Sequence, residues 1–330
     1  MKEKVIQTIK KNKLIINGDK IVLGVSGGPD SISMLDILRK IKEENIIQFD
    51  IVVAHINHLI RKEAVEDEEY VKKYCEKNGI ECYIKRIDVQ ELAQNKKIGT
   101  EEAGRKARYE FFDEISQKTS SNKIAVAHNK NDKIETIIMH VLRGSGTSGL
   151  IGIEPIRDNK YIRPLIECER KEIEEYCDNQ KLEPRIDKTN FENEYTRNKI
   201  RNIVIPYIKM EFNPNIIETI NRLSDVVKEE ETYINKIVER TYKKLLIEKS
   251  KKEIVLDLKQ FNEQDEVIKN RVILYTVKLI NGSTQGVEKI HIRDIVKLCN
   301  NNIGNKYLTP NKNLKILIKN KKIFFISQIV

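Results

Sequence analysis

The sequence has 330 residues, 39% of them hydrophobic and 33% charged, which is ordinary for a soluble globular protein. At roughly 150 residues per domain, this length predicts about two domains, each with its own core. Lys and Arg outnumber Asp and Glu by 60 to 50, and this formal charge of +10 favours a polyanionic partner only weakly. No apolar run approaches the roughly 18 residues of a membrane span, which excludes a membrane protein.

The cysteines are five in number, lie far apart and include no CxxC pair. We therefore expect neither a disulfide framework nor a structural zinc site of the usual spacing, and we expect a reduced, cytoplasmic protein. His55 and His58 form an HxxH pair, but nothing nearby in the sequence supplies further metal ligands.

The first 150 residues alternate short apolar runs with helical stretches. The predicted strands are Lys20–Val25, Phe49–His55, Glu81–Ile87 and Lys123–Ala127, and the predicted helices are Ser31–Ile41, Glu63–Asn78, Glu101–Lys118 and Asp132–Arg143. This alternation predicts an α/β fold with a doubly wound parallel sheet.

After Gly152 the alternation weakens, and the predicted elements are helices separated by a polar loop. They are helix Arg170–Asn179, loop Lys181–Asn193, basic helix Tyr195–Lys209 interrupted at Pro206, helix Ile216–Lys249, helix Val267–Leu279 and short strands at the end. Near Asn213 the sequence pattern changes to long helical stretches. This change predicts a domain of residues 1–212 and a second, mainly helical domain of residues 213–330.

The segment Ser26–Ser31, with the sequence SGGPDS, follows an apolar strand and opens an amphipathic helix. Glycines allow a close backbone approach, and a helix start presents unpaired N–H groups, so the segment predicts a phosphate-binding loop. Pro29 suits the first helical turn. Asp30 repels a phosphate unless a cation lies between them, and Mg²⁺ is such a cation. Neither a Walker A pattern nor a GxGxxG pattern is present.

The Ser26–Ser31 loop resembles that of the N-type ATP pyrophosphatases, PP-loop enzymes with an adenine nucleotide α-hydrolase-like fold. Further segments between about residues 20 and 210 are similar, in order, to those of one member family, the tRNA(Ile)-lysidine synthases. These segments are His55–Arg61, Gly104–Tyr109, His128–Thr136, Leu142–Gly146, Arg163–Leu165, Asp187–Asn190 and Tyr195–Arg201.

The resemblance implies a ligase that acts on the isoleucine tRNA with a CAU anticodon. ATP adenylates O2 of the wobble cytidine, and the ε-amine of L-lysine then displaces AMP at C2. Ser26, Gly27, Gly28, Pro29 and Ser31 are then expected to cradle the pyrophosphate of ATP, and Asp30 to hold Mg²⁺.

Two carboxylates, Asp132 and Glu135, lie three residues apart on one predicted helix and therefore share a face. With the resemblance, they are expected to bind the amines of lysine and to take a proton from the attacking amine. The alternative is a solvated helix N-terminus, where acidic residues are favoured in any case.

Two pairs of arginines complete the expected site. Arg105 and Arg108 neutralise charge on AMP or on the RNA, unless they are plain surface residues. Arg197, Asn198 and Arg201 form a basic helix face that suits the RNA backbone or the reacting nucleotide, and a plain exposed face is the alternative. His128 either contacts the nucleotide or is a structural histidine.

The chain departs from the family pattern in two respects. Asn131 stands where the family has an acidic residue, and the length leaves no room for the small β-rich third domain of longer members. We expect either a naturally short form or a longer protein whose third domain is missing from this sequence. Two other functions stay open: a PP-loop tRNA thiolase, and a non-catalytic RNA-binding relative. The resemblance also allows a homodimer, for which the sequence marks no interface.

Overall fold

A computed structural model describes residues 1–59, 64–185, 195–301 and 306–328. The chain forms two compact units, Met1–Val227 and Lys228–Val330, which are described separately. Within the described ranges, no helix is long and apolar enough to cross a membrane.

The first unit is built on a six-stranded sheet with the spatial order β3-β2-β1-β4-β6-β5. Its strands are β1 (Asp19–Gly24), β2 (Phe49–Asn57), β3 (Glu81–Arg86), β4 (Lys123–Ala125), β5 (Ile156–Arg157) and β6 (Tyr161–Ile162). All neighbouring strands pair in parallel except β5, which runs antiparallel to β6. The predicted α/β class with a parallel sheet is confirmed.

The helices of this unit fill the connections between strands and cover the sheet. They are α1 (Lys2–Asn12), α2 (Pro29–Glu43), α3 (Ala64–Lys77), α4 (Val89–Lys96), α5 (Thr100–Lys118), α6 (Lys130–Leu142), α7 (Arg170–Gln180), α8 (Thr196–Lys199) and α9 (Ile205–Glu211). α2 is the central helix, because eight successive side chains from Ser31 to Leu38 are buried. Of these elements, α1, α4, β5 and β6 were not predicted, since their apolar patterns are short.

The second unit combines helices with an antiparallel sheet of order β7-β8-β11-β10-β9. Its elements are the end of α10 (Ile216–Leu245), α11 (Leu258–Asn262), α12 (Glu266–Asn281), α13 (Lys289–Asn300), β7 (Leu246–Lys249), β8 (Glu253–Asp257), β9 (Lys306–Asn311), β10 (Leu314–Lys319) and β11 (Lys322–Ser327). We expected a mainly helical second domain with short strands at its end, whereas the structure also has a five-stranded sheet there.

The end of one predicted helix needs correction. The helix predicted to reach Lys249 ends at Leu245, because the last four residues form β7 and pair with β8. The predicted division after residue 212 falls between α9 and α10, earlier than the division into compact units.

The end of β1 is packed so closely that only glycine fits. A Cβ on Gly24 would lie 2.4 Å from the Phe112 ring, and Phe112 is buried on α5. This contact sets the distance between α5 and the strand that leads into the SGGPDS loop.

We predict that Gly24→Ala lowers the free energy of unfolding by about 1–3 kcal/mol, because the added methyl group overpacks the core. Urea unfolding measures the loss. Phe112→Leu in the same chain should recover part of it, since a smaller side chain removes the clash; equal stability of wild type and Gly24→Ala contradicts the proposed contact.

Candidate active site

The candidate site lies at the carboxyl ends of two neighbouring strands. β1 pairs with β2 on one side and with β4 on the other, so the connections after β1 and β4 leave the sheet in opposite directions. Such a topological switch point opens a crevice at which α/β proteins bind ligands. The SGGPDS loop follows β1, and the segment around His128 follows β4, so the fold brings both predicted motifs together.

The phosphate loop is shaped by one hydroxyl group. Ser31 Oγ accepts hydrogen bonds from the main-chain N–H groups of Ser26 and Gly27, at 3.1 and 3.2 Å, and donates to Gly28 O at 3.1 Å. Gly27 has φ +92°, which L side chains rarely adopt, so the turn requires glycine. Pro29 begins α2, as predicted, and the first-turn amides of α2 face the loop with no carbonyl of their own helix to accept them.

A buried amide connects the two halves of the site. Asn129 Nδ2 donates to Asp30 Oδ1 at 2.7 Å, while Asn129 Oδ1 accepts from the Asp132 amide at 3.0 Å. The Asp132 side chain in turn accepts from the Asn129 amide at 3.0 Å, which completes a capping box at the start of α6. Asn129 was not among the predicted site residues, although Asn followed by Asp three residues later is a signature of such a box.

Asp30 is held in an unfavourable electrostatic environment. Burial and the negative charge of Asp132 raise the pKa of Asp30 to about 6, against the lowering effect of the hydrogen bond from Asn129. The surroundings therefore disfavour the ionised form of Asp30, and a cation bound beside the carboxylate would stabilise that form.

The two carboxylates of α6 contact arginines of the following helical segment. Arg201 Nε and Nη2 donate to Glu135 at 2.6 and 2.8 Å, and Nη2 also donates to Asp132 at 3.1 Å. Arg197 donates to Thr136 Oγ1 at 2.7 Å, and its Nε lies 3.3 Å from Glu135. Burial opposes the charge on Arg201, but the hydrogen bond to Glu135 and the negative charges of Glu135, Asp132 and Asp30 together outweigh it and raise the pKa of Arg201. The expected carboxylate and arginine sites are thus one cluster.

Arg201 reaches these carboxylates from a π-helical turn, Ile200–Val204, between α8 and α9. Proline in a helix removes one N–H group and crowds a preceding carbonyl, and Pro206 lies two residues after this turn. The wider turn accommodates the proline. Ile200 and Ile205 pack with Ile134 and Ile137 of α6, which fixes Arg201 against that helix.

The remaining predicted residues lie around this cluster. Arg105 and Arg108 are exposed on α5, and neither of them forms an ion pair with a carboxylate in the described part of the chain. Asn198 is half-buried on α8. Burial lowers the pKa of His128 to about 4, so its ring is neutral near pH 7, and its Nδ1 is buried without a described hydrogen-bond partner.

Asn131, the departure from the family pattern, has a defined structural contact. Its Oδ1 accepts from the Arg170 amide at 3.0 Å, at the first residue of α7. The residue thus connects α6 to α7, and this bond needs an oxygen but no charge. Two resembling segments, Arg61 and Asp187–Asn190, lie outside the described residues.

The donor set limits how a magnesium ion fits. In the described ranges, no group of three or more His, Cys, Asp and Glu side chains could hold a metal ion. Mg²⁺ commonly uses one or two carboxylates and completes its shell with waters and substrate phosphates. Asp30, with its raised pKa beside the phosphate loop, fits that mode.

Comparisons with known proteins show the family and agree with the fold. The PP-loop domain family matches residues 1–208. The tRNA(Ile)-lysidine synthase of Clostridioides difficile is 45% identical over 327 residues, covering 99% of this chain and 70% of that protein. The chain belongs to the tRNA(Ile)-lysidine synthase family. The synthase of Clostridium acetobutylicum is 47% identical over 308 residues, covering 93% of this chain and 66% of that protein.

The curated relatives are longer than this chain, which spans about two thirds of their length. A solved structure with the same fold is the U34-tRNA thiolase NcsA from Methanococcus maripaludis with its [4Fe-4S] cluster. It has a TM-score of 0.57 at 19% identity and covers 69% of this chain and 78% of the thiolase. At that identity the likeness concerns the fold alone.

We predict that Asp30→Asn stabilises the protein at pH 7 by about 1–2 kcal/mol, with the shift discounted for partial exposure. Below pH 3.8 the carboxyl is protonated in both the folded and unfolded states, and the two proteins should be equally stable. As the pH rises from 3.8 to about 6, the carboxyl ionises in the unfolded state but stays protonated in the native state, so only wild type loses stability, and the loss is complete above about pH 6. Urea unfolding between pH 4 and 7 measures this.

Asp36→Asn is the opposite control. Hydrogen bonds from Lys40, Arg39, Tyr176 and Tyr74 overcome burial and lower the pKa of Asp36 to about 2. Its Asn variant should therefore be less stable than wild type at pH 7. A destabilised Asp30→Asn at pH 7 contradicts the electrostatic account of the site.

Proposed function

We propose that this chain joins L-lysine to the wobble cytidine of tRNA(Ile) with a CAU anticodon, with ATP converted to AMP and pyrophosphate. The observation that carries the proposal is the connection of Asp30 through Asn129 to Asp132 and on to Arg201. It joins a phosphate-binding loop to a cluster of mixed charge, as a nucleotide-activating enzyme for an amine requires. Family membership supports the same activity.

In the first step, the loop holds the leaving pyrophosphate. Ser31 fixes the amides of Ser26 and Gly27, while the first turn of α2 offers N–H groups and the positive end of its dipole. Mg²⁺, held by Asp30, would neutralise charge on the triphosphate. Catalysis of such a transfer is mainly positioning and charge neutralisation.

In the second step, the cluster of Asp132, Glu135, Arg197 and Arg201 receives lysine. Free lysine carries one carboxylate and two ammonium groups at neutral pH, so its recognition needs both signs of charge. Arginine binds a carboxylate with two parallel hydrogen bonds, and Asp or Glu accepts from an ammonium group. Asp132 is the accessible acid, with a side chain 14% exposed against 1% for Glu135. We therefore assign lysine amine binding and proton removal to Asp132, and positioning of both arginines to Glu135.

Arg105, Arg108 and Asn198 complete the proposal. We assign all three to contacts with the reacting nucleotide; for Arg105 the support is that its charge acts on His128 at the end of β4. Arginines there stabilise the adenylated cytidine and its departing AMP.

The thiolase alternative meets a specific obstacle. Cys177 contacts the phosphate loop: its Sγ lies 3.8 Å from Pro29 O and 3.0 Å from Ser33 Oγ. Cysteine-dependent sulfur transfer needs a reactive thiolate, but Cys177 is 3% exposed and burial raises its pKa. A ligation function needs no thiolate, and the site favours it.

Several finer points belong to the same proposal. Residues 1–212 carry the chemistry, residues 213–330 contact the tRNA, and the enzyme acts in the cytoplasm. A homodimer stays a prediction, which sedimentation of the purified chain measures.

We predict that incubation with the tRNA, ATP, Mg²⁺ and lysine adds the mass of lysine, less one water, to the wobble cytidine. Mass spectrometry of the digested tRNA measures this and separates lysidine from a thiolated base. Release of AMP should require both lysine and the CAU anticodon. Unmodified cytidine from a folded, tRNA-binding protein contradicts the proposed activity, and a sulfur-containing base assigns the thiolase function.

We predict that Asp132→Asn raises the KM for lysine about tenfold or more, because an amide accepts a weaker hydrogen bond from an ammonium group. Steady-state kinetics at saturating ATP and tRNA measure it. Asp178→Asn, an exposed change on α7, is the matched control. If Asp132→Asn keeps the wild-type KM and kcat for lysine, the Asp132 carboxylate only caps α6 and does not bind lysine.

A further inference from the structure

A group of stacked cations and rings lies in the first unit, and we define it as the arginine–tyrosine cluster: Arg105, Tyr109, Arg157, Tyr161 and Arg163. The Arg157 guanidinium carbon lies 4.4 Å from the Tyr161 ring centroid and 4.9 Å from that of Tyr109. The Arg105 guanidinium lies 5.6 Å from the same Tyr109 ring, and the two rings meet edge to face at 5.1 Å. Stacking on rings orients these guanidiniums without cancelling their charge.

The cluster borders the active site. Arg163 directly follows β6, and β6 pairs in parallel with β4, the strand that leads to His128. The positive charges of Arg163 and Arg105 both act on His128. Arg163 is 5% exposed, and its Nη1 donates to Glu154 O at 2.5 Å, which holds it in place. The phosphate loop follows β1, on the other side of β4, so the cluster is a separate cationic site.

Positive charge exceeds negative charge around the cluster. Asp113 accepts from Lys160 and from the Tyr161 hydroxyl, at 2.6 and 2.7 Å, and so is already neutralised. Arg157 Nε lies 3.3 Å from Asp158, a carboxylate whose side chain is 75% exposed. In the described ranges, neither Arg105 nor Arg163 has a carboxylate within 4.0 Å. An anion is therefore the ligand that this arrangement fits.

We propose that the arginine–tyrosine cluster binds a phosphodiester group of an unpaired nucleotide in the RNA substrate, next to the nucleotide that reacts. This inference rests on the proposed function, which brings an anticodon loop to the site. Fixed guanidiniums offer pairs of N–H groups that match phosphate oxygens, and flanking tyrosines are the usual partners of unstacked bases. Arg157, which no sequence motif indicated, is the central residue because it contacts both rings.

The test measures tRNA affinity of the full chain at several salt concentrations. Arg157→Gln should bind about tenfold more weakly, and its plot of log affinity against log salt should be less steep by about 0.7, the value for one lost phosphate contact on a single strand. Arg105→Gln, an exposed change that leaves the fold unaffected, should act in the same direction. Arg157→Lys should recover the slope but only part of the affinity, because lysine lacks the planar stacking group.

The control is Lys171→Gln, which removes one positive charge from a side chain 85% exposed on α7. It should keep the wild-type affinity and slope. Wild-type values in both Arg157→Gln and Arg105→Gln overturn the inference. If these variants bind ATP more weakly but keep the wild-type salt dependence of tRNA affinity, the inference is also overturned and the cluster is assigned to ATP binding.

Mass spectrometry of the tRNA after reaction with the wild-type chain tests the proposed function separately. If lysidine forms but wild type and Arg157→Gln have the same salt dependence of tRNA affinity, only the inference about the cluster is overturned. If no lysidine forms but Arg157→Gln has a weaker salt dependence than wild type, only the proposed activity is overturned.

Discussion

One buried amide side chain determines the arrangement of this active site. Asn129 is fully buried and uses its donor on Asp30 and its acceptor on the first turn of α6. Since Asp30 belongs to the loop after β1 and Asn129 to the segment after β4, this one side chain sets the separation of the two motifs across the crevice. An aspartate here would add a third negative charge beside Asp30 and Asp132, and a leucine would leave a buried carboxylate without its donor.

The charged groups around Asn129 form two layers, one with an unpaired carboxylate and one in which two arginines contact a carboxylate. Toward the phosphate loop, Asp30 lacks a cation, and its pKa is raised to about 6. Toward α8 and α9, Glu135 has more cationic partners than it needs, because Arg201 and Arg197 both reach it. In the proposed function, Mg²⁺ bound with ATP would supply positive charge to the first layer, and lysine, with one carboxylate and two ammonium groups, would exchange with partners in the second. Each substrate would then complement a different part of one hydrogen-bonded network.

The sequence predicts the parts of this network that are local, and misses those that depend on tertiary packing. The SGGPDS loop and the shared face of Asp132 and Glu135 follow from strand, turn and helix periodicity, which need only a few neighbouring residues. The pairing of Arg201 with both carboxylates depends on a π-helical turn and on isoleucines from two helices, and no short pattern encodes it. The two-residue strands β5 and β6 carry too little apolar pattern to be recognised, yet they position Arg157 and Arg163.

The rigidity of α6 explains how such a strained charge arrangement persists. Its first turn is closed by the capping box, and two lysines on its buried side contact the start of α10: Lys130 pairs with Glu218, and Lys133 donates to Asn221 at 2.9 Å. Breaking these contacts would leave ammonium groups buried without partners, which costs more than the bonds themselves gain. The helix therefore cannot retreat to relieve the repulsion between Asp30 and Asp132. The repulsion is kept in the folded state, and in the proposed function a cation bound with the nucleotide would relieve it.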